Sequence, residues 1–157
     1  MLLDVVIAVM HIGVGVAGLL LSRIDLREHR LPNRGTGSLA VGLGILALVA
    51  NDSQRLQSGL MTGALSAAVF ALAAALPPHA MGWGDVKLQG GLGFYLGFLD
   101  SHLVLLQCVL AFLVGGLVAL GGILRNRHLA RDPIAFGPSL VAGAALAVIA
   151  GKYGEII

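Results

Sequence analysis

Two aspartates stand where an acid is hard to place. Asp25 lies in the stretch Ile24-Asp25-Leu26-Arg27-Glu28-His29-Arg30-Leu31-Pro32-Asn33 and Asp85 in Met81-Gly82-Trp83-Gly84-Asp85-Val86-Lys87-Leu88. Each borders a long apolar run, and an acid at a membrane edge is costly enough to imply a function. Two apolar runs separate the stretches, so an even number of crossings returns the chain to the same face and the carboxylates can meet. Two carboxylates brought together cannot both ionise cheaply; one keeps a proton while the other stays charged. Such a pair suits amide hydrolysis. The charged member takes a proton from attacking water, and the protonated one polarises the carbonyl oxygen. This chemistry calls for no metal and no cofactor, and titration belongs to the pair, so sequence does not say which aspartate holds the proton. Gly82 and Gly84 flank Trp83 ahead of Asp85. Glycine permits positive φ and close backbone approach, which a substrate strand crossing Asp85 requires. The plainer alternative is a glycine turn whose acid complements a helix N-terminus. Lys87 reads as a snorkelling anchor, placed where it could also tune the aspartates.

The elements that position these residues follow from composition. Apolar residues make up 57% and charged residues 11% of the chain, against about 25% charged in soluble domains, and the mean hydropathy is +0.92. A water-soluble globule is excluded. Apolar runs at 2–22, 36–50, 58–77, 84–99, 102–124 and 134–150 reach or approach the roughly 20 residues a spanning helix needs. Hydrocarbon offers backbone groups no partners, so the runs predict helices, and none alternates in polarity as a membrane barrel would. The expectation is an all-α, polytopic bundle of six transmembrane helices, with residues 1–157 forming a single membrane-embedded domain. The run from 84 is short, and one long or re-entrant helix over 88–124 is the alternative, leaving five spans. The first run is too long for a signal-peptide core and lacks a basic n-region.

With six spans, Arg23, Arg27, Arg30, Arg34, Lys87, Arg125, Arg127 and Arg131 share one side, while Arg55 and Lys152 occupy the other. Basic residues collect on the cytoplasmic side, which predicts that both termini and Asp4, Asp52 and Asp100 face out. The formal charge of +2 gives no footprint for nucleic acid. Cys108, the single cysteine, rules out a disulfide framework or thiolate cluster within the chain and reads as a small packing residue. His11 and Gln107, inside apolar runs, read as hydrogen-bonded packing groups. Gly59/Gly63 and Gly93/Gly97, each four apart, support close helix approach. No internal repeat is evident.

Asp25 with Arg30-Leu31-Pro32-Asn33, Gly82-Trp83-Gly84-Asp85-Val86-Lys87-Leu88, and Pro133-Ile134-Ala135-Phe136-Gly137-Pro138 leading into the last run together resemble the type IV prepilin peptidase family, whose GxGD motif is shared with presenilin-like intramembrane proteases. The resemblance implies a multi-pass aspartic endopeptidase of the inner or plasma membrane, without metal or cofactor, with Asp25 and Asp85 catalytic. Gly82, Gly84, Lys87, Pro32, Asn33, Phe136, Gly137 and Pro138 carry the surrounding motifs. It implies prepilin or pseudopilin-like substrates, cut at the cytoplasmic face between a basic leader and a hydrophobic helix; Glu28, in the charged loop with His29, could attract such a leader. Bifunctional members carry an N-terminal cytoplasmic segment with paired CxxC motifs and also N-methylate the new terminus. This sequence opens on an apolar run with one cysteine, and so resembles the short, peptidase-only members of tight-adherence and archaeal preflagellin systems. Pro133 and Pro138 otherwise end a loop and start a helix. Two other classes compete. An ion- or proton-coupled transporter could use the aspartates as a relay, although such acids commonly lie near the midplane of inverted repeats. A non-catalytic pilus or secretion assembly subunit could keep the same fold.

Overall fold

Apolar runs leave the backbone one way to satisfy itself in lipid, and among the described residues each run read from the sequence holds a helix. The computed structural model describes residues 1–28, 30–76, 81–125 and 135–154. Within them stand α1 (Leu2–Glu28), α2 (Asn33–Ala50), α3 (Ser53–Ala75), α4 (Trp83–Leu99), α5 (His102–Arg125) and α6 (Gly137–Gly154), with no strand among the described residues. Helices α1, α2, α3 and α5 are long and apolar enough to cross a membrane; α6 is a shorter apolar helix, and α4 has 17 residues. The protein is an all-α, multi-pass membrane bundle.

Several helix ends differ from the apolar runs, for local reasons. Helix α3 starts at Ser53 rather than 58 because Asp52 caps it, its Oδ1 accepting the Arg55 amide at 3.0 Å. Helices α4 and α5 separate at Asp100, whose Oδ1 accepts the His102 amide at 2.9 Å; the continuous helix over 88–124 does not form. Helix α2 ends at Asn51, left-handed at φ 52°, a conformation asparagine tolerates. Helix α1 runs on to Glu28, which takes Asp25 out of the expected loop junction and into its last turn. Helix α6 begins at Gly137; Pro133, Ile134, Arg127, Arg131 and His29 lie outside the described residues.

Helix α4 is the centre of the bundle and touches every other helix. Leu88, Gln89, Leu92, Leu96 and Phe98 are all but fully buried, whereas Leu19 of α1, Leu72 of α3 and Leu105 of α5 point outward, as lipid-facing side chains do. The most extensive contact is α3 on α4. The glycine pairs read from the sequence face each other there. A methyl at Gly59 would stand 2.9 Å from the Phe94 carbonyl oxygen and one at Gly63 3.0 Å from that of Gly90, while methyls at Gly93 and Gly97 would run into the Ser66 and Thr62 hydroxyls. That proximity lets Ser58 donate to the Gly97 carbonyl at 2.7 Å and Thr62 to the Gly93 carbonyl at 2.9 Å. Arg55 closes the end of α4, its guanidinium donating to the carbonyls of Phe98 and Leu99 at 3.2 and 3.0 Å, a cation on the negative pole of a helix.

On the opposite flank of α4, Gln89 and Gln107 of α5 exchange amide hydrogen bonds of 2.9 and 3.1 Å, both fully buried. Gln107 also donates to the Leu140 carbonyl of α6 at 3.4 Å, so its expected packing role is seen as a bond joining three helices. His11 Nδ1 donates to the Ile7 carbonyl at 2.7 Å, and the ring stands edge-on to Tyr95. Cys108 is partly buried beside the glutamine pair.

Candidate active site

Asp25 is the acid whose own helix works against it. It lies in the last turn of α1, where the free carbonyls form the negative pole of the helix and disfavour an anion. The carboxylate is 5% exposed, so burial adds to the cost. The start of α6 offsets both. The Gly137 amide donates to Asp25 Oδ2 at 3.0 Å, and Gly137 lacks a side chain at a point where a methyl would stand 2.7 Å from that oxygen. The remaining amides of this first turn are otherwise occupied. Pro138 has none, and those of Ser139 and Leu140 turn back to the Phe136 carbonyl at 3.0 and 3.1 Å. Asp25 thus caps a helix far away in sequence, doing from α1 what an N-cap side chain does locally.

Asp85 sits in the first turn of α4, where an anion is favoured. Its amide donates to the Gly82 carbonyl at 3.1 Å, its side chain is half-buried, and it lies within electrostatic reach of Asp25. The two aspartates therefore share one end of the bundle. Asp52 and Asp100 lie at the far ends of α3 and α4, with Arg55.

Leu31 spaces the two helix starts. Its side chain is buried; a methyl at Gly84 would stand 2.8 Å from its Cβ, and one at Gly137 3.5 Å from its Cδ1. Of the two properties that glycine offers at 82 and 84, positive φ is not used: no described glycine has positive φ, and Gly82 is extended at φ −79°. Gly84 is needed for room, and the group that fills the room is Leu31 of the same chain. Gly82 is exposed, with Asp85 Oδ2 3.5 Å from where its methyl would be.

The remaining motif residues divide. Pro32 is the N-cap of α2, its carbonyl accepting the amides of Gly35 and Thr36. Asn33 Oδ1 accepts from Lys87 Nζ at 2.6 Å on the exposed edge, so Lys87 ties α4 to α2. Phe136 turns to α5, its ring 5.3 Å from that of Phe112 and held over Gly115. Pro138 is partly buried in the first turn of α6. Leu31 was passed over as a site residue because it is one leucine among many; its position before Pro32, between two charged stretches, was the available signal. Gln89, one helical turn beyond Asp85, was passed over as well, although a lone amide in a spanning run is itself a signal.

Comparison with known proteins agrees with the family resemblance. Residues 12–121 match the profile described as the type IV leader peptidase family. Similar curated proteins include one of Bacillus subtilis (strain 168), 31% identical over 100 residues, 64% of this chain and 38% of that protein. One of Aeromonas hydrophila is 40% identical over 73 residues, 46% of this chain and 24% of its own length. One of Pectobacterium carotovorum subsp. carotovorum is 34% identical over 140 residues, 86% of this chain and 49% of its own length. Each is named prepilin leader peptidase/N-methyltransferase, and this chain spans half or less of each. No solved structure matches it significantly.

Proposed function

This chain belongs to the type IV leader peptidase family, and from that premise we propose that it is a membrane aspartic endopeptidase that removes the basic leader of prepilin-like precursors, with Asp25 and Asp85 as the catalytic pair. The observation that carries the reading is the placement of these two carboxylates at one end of the bundle, one in the last turn of α1 and one in the first turn of α4, where Leu31 packs against both Gly84 and Gly137. A shared proton gives such a pair one acid and one base at the same pH. Water held between them attacks the leader's scissile carbonyl while the acid protonates the carbonyl oxygen. Residues 1–157 act as a single membrane-embedded domain.

Arg23, Arg27, Arg30, Arg34 and Lys87 cluster at the aspartate end, whereas Arg55 and Lys152 lie away from it. By the distribution of basic residues the site faces the cytoplasm, and the membrane is the inner or plasma membrane. The substrate side is then a leader on the cytoplasmic face followed by an apolar segment in lipid.

Co-expression with a candidate prepilin tests the activity. A leader-sized mobility shift is expected with the wild-type chain and none with Asp25→Asn or Asp85→Asn; cleavage persisting in either variant would remove the dyad. Aspartate-dependent ion flux in sealed vesicles without proteolysis would instead make the protein a transporter. Orientation is checked in intact cells, where cysteines at Arg27 and Arg127 should escape an impermeant reagent and one at Ser53 should react.

A further inference from the structure

The two aspartates are not equivalent, and the difference lies in what touches them. We infer that the Gly137 amide is a positioning group that holds Asp25 as the charged, proton-accepting member of the pair, so that Asp85 carries the proton. The inference rests on the peptidase reading and adds to it a division of labour.

Asp25 is buried, at the unfavourable end of its own helix, and yet accepts the leading amide of α6 at 3.0 Å. An N–H donor and a helix N-terminus both act on the charged form of a carboxylate more strongly than on the neutral one. Glycine at 137 is what allows the contact, since any Cβ would press on the same oxygen. Among the described residues, the neighbouring elements bring these ionisable groups. Helix α4 brings Asp85, and Lys87, which is committed to Asn33. Helix α1 and the turn after it bring Arg23, Arg27, Glu28 and Arg30, and α2 brings Arg34, all exposed. Helix α6 brings, among its described residues, only Lys152 near its other end. Asp85 also stands at a helix N-terminus with the Gly82 amide beside it, but its burial and the charge on Asp25 outweigh these, so with Asp25 charged Asp85 is the one that keeps a proton.

The steps then balance. Asp25 takes one proton from water as the water oxygen bonds to the scissile carbon, and Asp85 gives its proton to the carbonyl oxygen, forming a neutral gem-diol. The C–N bond breaks as Asp25 passes its proton to the leaving nitrogen. Asp85 recovers a proton from a diol hydroxyl as the new carboxyl group forms, and both return to their starting states.

Gly137→Ala tests this through the pH profile of kcat/KM for a purified prepilin. Displacing the carboxylate from the amide raises the pKa of Asp25. If Asp25 is the base, the acid limb moves up by roughly one pH unit and the alkaline limb stays. Movement of the alkaline limb alone, or of neither limb, overturns the inference. A loosened fold would lower the plateau without moving a limb. Should Gly137→Ala fail to insert, infrared titration of the two inactive proteins decides. The carboxylic-acid carbonyl band of Asp25 in Asp85→Asn should grow in at lower pH than that of Asp85 in Asp25→Asn; the reverse order overturns the assignment. Loss of the peptidase reading looks different, because full cleavage by either Asn variant would remove the dyad whatever the order of titration.

Discussion

Helix α4 has two ends built on different principles. Its C-terminal half is immobilised: glycines let α3 press against it, hydroxyls of Ser58 and Thr62 occupy its carbonyls, and Arg55 closes its last turn. Its N-terminal turn is held by fewer groups, with Leu31 against Gly84 and Lys87 on Asn33 at an exposed edge, and Asp85 is only half-buried. One end fixes the helix in place and in rotation. The other presents a carboxylate that remains partly exposed. Precision at the reacting end is supplied by rigidity elsewhere on the same helix.

The largest effect should come from the chemistry itself. Asp85→Asn and Asp25→Asn should each reduce prepilin cleavage to background with membrane insertion unchanged, and the double variant should be little worse than either single, because the pair acts as a unit; gel assays of leader removal measure this. Next comes the anchoring end. Gly93→Leu should destabilise the bundle by about 3 kcal/mol by overpacking, seen as a lower Tm and lost activity together. If it alters activity alone, the two ends are not separate in function. Between these extremes, Gly84→Ala should cut cleavage at least about tenfold, or 1.4 kcal/mol of transition-state stabilisation, while Tm falls little. Its methyl meets Leu31 Cβ, so Asp85 is displaced without disturbing the α3 contact. Unchanged cleavage would show that Leu31 yields freely. The smallest effect is expected at the exposed tie, where Asn33→Ala should slow cleavage about two- to threefold, matched by Lys87→Met if the hydrogen bond is the cause.

Much of this arrangement was legible because it depends on local quantities. Apolar run length marked each of the six helices, and the cost of an acid beside such a run marked Asp25 and Asp85. Helix ends were read less well where a side chain decides them, as Asp52 does for α3. What could not be read was rotation. Gly59, Gly63, Gly93 and Gly97 show that two helices approach some neighbour closely, but only the folded pairing shows that they approach each other. In the same way the Pro133–Pro138 motif flags the start of α6, yet nothing local to it says that Gly137 meets a carboxylate from α1. At Gly82 and Gly84 the sequence left two uses of glycine open, conformational freedom and absence of bulk, and only the packing of Leu31 against Gly84 decides for the second there.

The hydroxyl stripe on α3 bears on biogenesis. Helix α4 is short and carries Asp85, Lys87 and Gln89 within its first two turns, a composition that the translocon releases into lipid reluctantly. Ser58 and Thr62 offer its carbonyls partners before the rest of the bundle exists, and Arg55 waits at the level where it ends. Insertion of α3 and α4 as a hairpin would supply α4 with these partners as it enters the bilayer. The aspartate proposed to carry the chemistry would then depend, for reaching its depth at all, on a helix with no proposed part in the reaction.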